Sequence, residues 1–90
     1  MSWRIFQTTS FSASFGRFSK NRTFIDVLDK KIRRLREDPY SVGGNLAGRL
    51  HGKKATRIIG KFRIIFRIDE SLRRVYLLAI DHRKFDYKRF

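Results

Sequence analysis

Arg57, Arg63, His82, Arg83 and Tyr87, all in the second half of the chain, have the side-chain types for phosphate binding and proton transfer. Arginine presents a planar fork that stays charged and can contact two phosphate oxygens together. An unperturbed histidine titrates near pH ~6.5, where it can both take and give a proton. A free tyrosine near ~10 needs cations around it to serve as a base. Lys53, Lys54, Lys61 and Lys84 flank the same residues and suit an anionic backbone.

The charge balance says what kind of partner such residues meet. Lys and Arg number 22 against 8 Asp and Glu, a formal net charge of +14 in 90 residues, far beyond what solubility requires. Nucleic acid, an acidic protein and an anionic membrane surface all fit that charge. No apolar run approaches the ~20 residues of a membrane span, so a soluble chain is expected. With no Cys and two His, His51 and His82, neither a disulfide framework nor a convincing zinc site is available, and no metal or other cofactor is expected. Hydrophobic residues make up 41% of the chain, nine Phe among them. That is enough for one modest core, and one domain over residues 1–90 is expected. Met1 to Gln7 does not read as a secretory signal, which points to the cytoplasm.

These residues need a scaffold, and the hydrophobic periods supply one. Trp3 to Gln7 reads as a strand, followed by Thr8, Thr9 and Ser10 as a helix cap. Phe11, Phe15 and Phe18 recur on one helix face, although Gly16 weakens that helix. Phe24, Leu28, Ile32 and Leu35 mark a second helix capped by Asn21 or Thr23, with Asp26 and Asp29 early and Lys30, Lys31, Arg33, Arg34 and Arg36 late, as the helix dipole favours. Pro39 stops it, and Tyr40 to Gly44 reads as a loop. Ala55–Ile59, Phe62–Asp69 and Val75–Ile80 are three extended runs, hence an antiparallel meander. The expected fold is α+β: two N-terminal helices on one face of a small, mainly antiparallel sheet, in the order β-α-α-β-β-β.

Two blocks carry a more specific signal. Leu50-His51-Gly52, then Arg57, then Phe62-Arg63-Ile64-Ile65-Phe66 resembles the hairpin of the RelE/ParE superfamily of bacterial and archaeal toxins. Val75-Tyr76-Leu77-Leu78-Ala79-Ile80-Asp81-His82-Arg83 with Tyr87 resembles the final strand and tail of its RelE-like branch. The resemblance implies a RelE-like fold and the toxin of a toxin-antitoxin module, an mRNA endoribonuclease working on the ribosome and neutralised by a cognate antitoxin.

Metal-free RNA cleavage requires deprotonation of a ribose 2′-hydroxyl, stabilisation of a phosphorane, and protonation of the departing 5′-oxygen. Arg63 is the first choice for the phosphorane. By motif position the resemblance gives Arg83 a share of that charge and Tyr87 the orientation of RNA or a proton transfer, with His82 an alternative acid or base. Lys53, Lys54, Lys61 and Lys84 are expected to hold RNA backbone. Arg57 depends on register. A two-residue turn at Gly60-Lys61 would pair Ile58 with Arg63 and send Arg57 to the apolar face. A three-residue turn including Ile59 would pair Ile58 with Phe62 and set Arg57 beside Arg63, and it is preferred because it keeps apolar with apolar.

Plainer readings stand beside these. Arg67 reads as the solvated face of the hairpin, His82 equally well as a surface histidine, Tyr87 as an aromatic anchor, and Lys30 to Arg36 as a solvated helix face. Some members of the family place a carboxylate as general base, and none is assigned here: Asp81 and Asp86 lie nearby in sequence, Asp86 reading more as a partner of local Arg or Lys, and the identity of the base stays open. Two other functions remain, a ParE-like inhibitor of DNA gyrase and a non-catalytic nucleic-acid-binding domain.

Overall fold

A computed structural model describes residues 3–45 and 52–82. The chain opens with β1 (Arg4–Gln7) and turns at Thr8 into α1 (Thr9–Phe15). The Thr8 side chain accepts from the Phe11 N–H and caps the helix, as the Thr/Ser cluster predicts. Helix α1 ends sooner than the Phe11–Phe15–Phe18 spacing suggests. From Gly16 to Phe18 the backbone tightens to a 3₁₀ turn, which still brings the Phe18 ring flat against Phe24 at 4.1 Å. Helix α2 (Arg22–Glu37) is capped by the Asn21 side chain and ends at Asp38, just before Pro39.

The remaining strands are β2 (Gly44–Asn45), β3 (Lys54–Ile59), β4 (Phe62–Asp69) and β5 (Arg74–His82). They form one sheet in the order β1-β5-β4-β3-β2, antiparallel except that β1 runs parallel to β5. The expected α+β arrangement is present, with an addition. The stretch read as a loop after Pro39 is a 3₁₀ turn (Pro39–Ser41) leading into the short edge strand β2. The chain can come that close because Gly43 adopts φ +75° against the Ala55 carbonyl, where no side chain fits.

Both helices cover one face of the sheet. Phe11, Phe24, Leu28 and Leu35 from the helices meet Ile64, Phe66, Val75 and Leu77 from the strands, all buried. On β4 this is the expected alternation: Phe62, Ile64, Phe66 and Ile68 face the helices, and Arg63, Ile65, Arg67 and Asp69 face away.

Two irregularities disturb that alternation in the neighbouring strands. Between Arg57 and Ile59 the β3–β4 register shifts, so Arg57 lies opposite Arg63 and Ile59 opposite Phe62, with Ile58 as the extra residue. The turn is thus the two-residue Gly60-Lys61 connection, with φ +56° at Gly60, and not the preferred three-residue loop. The bulge at Ile58 restores Arg57 to the side of Arg63 all the same. Between Ile65 and Phe66 the β4–β5 register shifts as well: Phe66 pairs with Leu77 and Ile65 with Ala79, leaving Leu78 as the extra residue of β5. The Thr8 hydroxyl reaches the Leu77 and Leu78 carbonyls at 2.8 and 3.2 Å, so the residue that caps α1 also ties down this bulge.

Candidate active site

The two bulges build one row across three strands on the face away from the helices: Arg57 opposite Arg63 in β3–β4, and Arg63 opposite Asp81 in β4–β5. With regular ladders Arg57 and Asp81 would both turn toward the helices. Directly opposed residues have Cβ atoms about 5 Å apart, so the Arg63 fork is within reach of both neighbours. Arg57 is exposed, Arg63 half-buried, and Asp81 4% exposed.

Two arginines facing each other repel, and a stability-driven hairpin would not keep them. A buried carboxylate on the third strand offsets one charge and leaves the row cationic. Beside it lies a concavity of about 200 Å³ lined, among the described residues, by Ala55, Arg57, Gly60, Lys61, Phe62 and Arg63. Arg57, Arg63 and Lys61 thus converge on a space fit for a phosphate group. The arrangement can bind a phosphodiester and stabilise negative charge developing on it.

The other expected site residues fall elsewhere. His82 belongs to the opposite face: the Leu78 bulge that carries Asp81 toward Arg63 carries His82 toward the helices, where it pairs with Phe62, ring centroids 5.0 Å apart and nearly perpendicular. The structure does not bring it to Arg57 and Arg63. Lys54 lies at the other end of β3, its Nζ 3.4 Å from the Tyr40 carbonyl and 5.7 Å from that ring. Lys53 immediately precedes it, away from the Gly60-Lys61 turn. Arg83, Lys84 and Tyr87 lie outside the described residues, as do His51 and Asp86.

Asp81, left as one of two possible carboxylates, is the residue whose position the sequence concealed. A bulge has no residue signature in the apolar run Val75–Ile80, so counting by twos from Val75 puts Asp81 on the wrong face.

Comparison with known proteins gives a consistent picture. The family model described as the ParE toxin of the type II toxin-antitoxin system, parDE, matches residues 5–87. Among solved structures, the RelBE2 toxin-antitoxin complex from Mycobacterium tuberculosis is similar with 26% identity and a TM-score of 0.78, over 92% of this chain and 100% of that one. The YoeB/ParE toxin from Agrobacterium tumefaciens superposes with a TM-score of 0.79 at 18% identity, over 88% and 96% of the two chains. The archaeal RelE-RelB complex from Pyrococcus horikoshii gives 0.70 at 15% identity, over 92% and 97%. The last two likenesses concern the fold alone. No curated protein matches the sequence.

Proposed function

The chain belongs to the ParE toxin family of type II toxin-antitoxin systems, and on that premise we propose that it is a metal-independent mRNA endoribonuclease that arrests translation by cutting messages on the ribosome. The observation that carries this reading is the Arg57–Arg63–Asp81 row beside its concavity. A protein that only bound gyrase would have no need to oppose two arginines across a hairpin and set one of them opposite a buried carboxylate.

In this reading the RNA phosphate sits against Arg57 and Arg63. The 2′-hydroxyl passes its proton to Tyr87 or to a water and attacks the adjacent phosphorus. The phosphorane charge falls on the guanidinium forks, and the P–O5′ bond breaks as the leaving oxygen takes a proton back from Tyr87 or from water. Asp81 acts through Arg63, holding its fork in one orientation. Arg83 and Tyr87, taken from the family by motif position, complete the set: Arg83 shares the developing charge, and Tyr87 orients the RNA or moves a proton. Lys61 at the turn and Lys84 in the tail hold backbone phosphates.

The partners are the messenger, the ribosome and a cognate antitoxin. The RelBE2 structure is a toxin-antitoxin complex and the archaeal one a RelE-RelB complex, and a chain of charge +14 gains from an acidic cover that screens its self-repulsion.

The family model's ParE designation favours a second reading, inhibition of DNA gyrase without nuclease chemistry. Induced expression of the wild type and of Arg63→Ala, with primer-extension mapping of message ends and a supercoiling assay, separates the two. New ends within translated messages, absent in the variant, support cleavage. Intact messages with loss of supercoiling support gyrase.

A further inference from the structure

Four residues along β4 from Arg63, the same face carries a second cationic feature. Across β1, β5 and β4, Phe6, Tyr76 and Arg67 stand side by side, and Arg4, Arg74 and Asp69 form the next row. The Arg67 guanidinium lies 4.6 Å over the Tyr76 ring and that of Arg74 4.8 Å over Phe6. The two rings are 5.7 Å apart and tilted by 31°, and Arg74 Nη1 donates to the Tyr76 hydroxyl at 3.3 Å. Phe6 is 36% exposed, and Arg4 and Arg67 are exposed.

Stacking on a ring leaves a guanidinium its N–H edge for phosphate oxygens and lowers the entropy lost on binding one. Asp69, the acid of the second row, accepts from Ser71 Oγ and the Leu72 N–H in its own turn at 2.9 and 3.2 Å. Three arginines against one carboxylate make the patch strongly positive. Charge alone would also suit an acidic protein segment. The exposed Phe6 ring beside a stacked arginine adds a surface that an unpaired base can cover, which is the pairing of features that single-stranded nucleic acid uses.

We propose that Phe6, Tyr76, Arg67 and Arg74 form a second phosphate-gripping subsite for single-stranded RNA. It lies ~13 Å along β4 from Arg63 (four residues at the strand rise) and holds the strand on one side of the cleaved bond. The assignment rests on the RNA-cleaving reading above. It turns Arg67 from a solvated side chain into a positioning residue, and it makes the face away from the helices one track for RNA with two grips.

The test is fluorescence anisotropy of the full chain with a fluorescein-labelled RNA nonamer whose riboses are 2′-O-methylated, so that it cannot be cut, over a series of salt concentrations. Arg67→Gln and Arg74→Gln should each weaken binding about fivefold to tenfold and lessen the slope of log K against log salt by about 0.7, the loss of one phosphate contact. Tyr76→Leu should weaken binding with the slope unchanged, since the charge remains. Melting temperatures check that each variant folds, and Arg67→Gln, at an exposed site, carries the test if the others do not. Tight wild-type binding that all three variants retain would overturn the subsite and leave the cleavage reading intact, because Arg63→Ala scores that separately on ribosomes. Variants that lose an oligoglutamate peptide but keep the nonamer would overturn it in favour of a protein surface. A wild type that neither binds the nonamer nor cuts messages would overturn both.

Discussion

Asp81 lies directly across from Arg63 because β5 carries one residue more than β4 between Leu77 and Ala79. The extra residue, Leu78, reverses the facing of everything after it: Asp81 joins the arginines and His82 joins the aromatic packing around Phe62. A matching bulge at Ile58 brings in Arg57 from the other side. The cationic row is thus a product of backbone geometry as much as of residue choice.

On the proposed reading, that facing leaves His82 out of the arginines' task. Arg63→Ala should lower the rate of message cleavage about 10²- to 10³-fold, the scale for removing one group that stabilises transition-state charge. His82→Phe keeps a ring against Phe62 and should stay within a few-fold of wild type. Single-turnover cleavage rates of the two purified variants check this.

Thr8 holds the Leu78 bulge and caps α1 with one hydroxyl. Thr8→Val should cost about 1–2 kcal/mol of stability, the range for a lost helix cap. It should also slow cleavage more than it weakens RNA binding, since Asp81 loses its fixed place beside Arg63. Thermal melts together with cleavage and binding curves on the same variant test both halves.

Two glycines with positive φ should respond differently to alanine. At Gly43 a Cβ collides with the Ala55 carbonyl oxygen, a backbone atom that cannot swing away. At Gly60 there is open space and only the φ of +56° to oppose it. Gly60→Ala should cost about 1 kcal/mol and Gly43→Ala clearly more, with β2 parting from β3. Chemical denaturation of both variants measures the difference.

The turn between β4 and β5 carries a pH-dependent contact. Hydrogen bonds from Ser71 Oγ and the Leu72 N–H hold the Asp69 carboxyl below the usual carboxylate range, against desolvation and with smaller help from the Arg67 and Arg74 charges. Folding therefore favours the charged form. The stabilisation is fully present above the ordinary carboxylate range and fades as pH falls through the lowered value. Asp69→Asn should be less stable than wild type at neutral pH, and the gap should narrow in acid. Melting temperatures of both proteins from pH 7 to pH 2 check the sign.

The fold was largely legible in the sequence because its signals are local. The Thr8 and Asn21 caps, the Phe24–Leu28–Leu35 stripe, the stop at Pro39 and the alternation along β4 each act within a few residues. The short strand β2 was not legible: its two residues pair with β3 through a close approach at Gly43, a contact set by tertiary packing. Arg63 could be chosen from its strand and its resemblance to the family. Arg57 was expected beside Arg63 and lies there, through the Ile58 bulge and not the longer turn; the place of Asp81 depends on the Leu78 bulge, which shifts register without a residue signature, and the same bulge sets His82, left open as acid, base or surface residue, on the other face. The stacking of Arg67 on Tyr76 joins residues nine apart in sequence through strand pairing, so alternation along β4 alone made Arg67 look like a solvated side chain.

The most direct test of the central claim uses purified protein with ribosomes carrying a defined message, comparing wild type, Arg63→Ala and Arg57→Ala, with product ends mapped and magnesium-chelated RNA controls alongside. Cleavage within the translated message by the wild type is expected, with a 2′,3′-cyclic phosphate at the new 3′ end and about 10²-fold or greater loss for Arg63→Ala. An uncut message under conditions where the same protein preparation blocks gyrase supercoiling would contradict it.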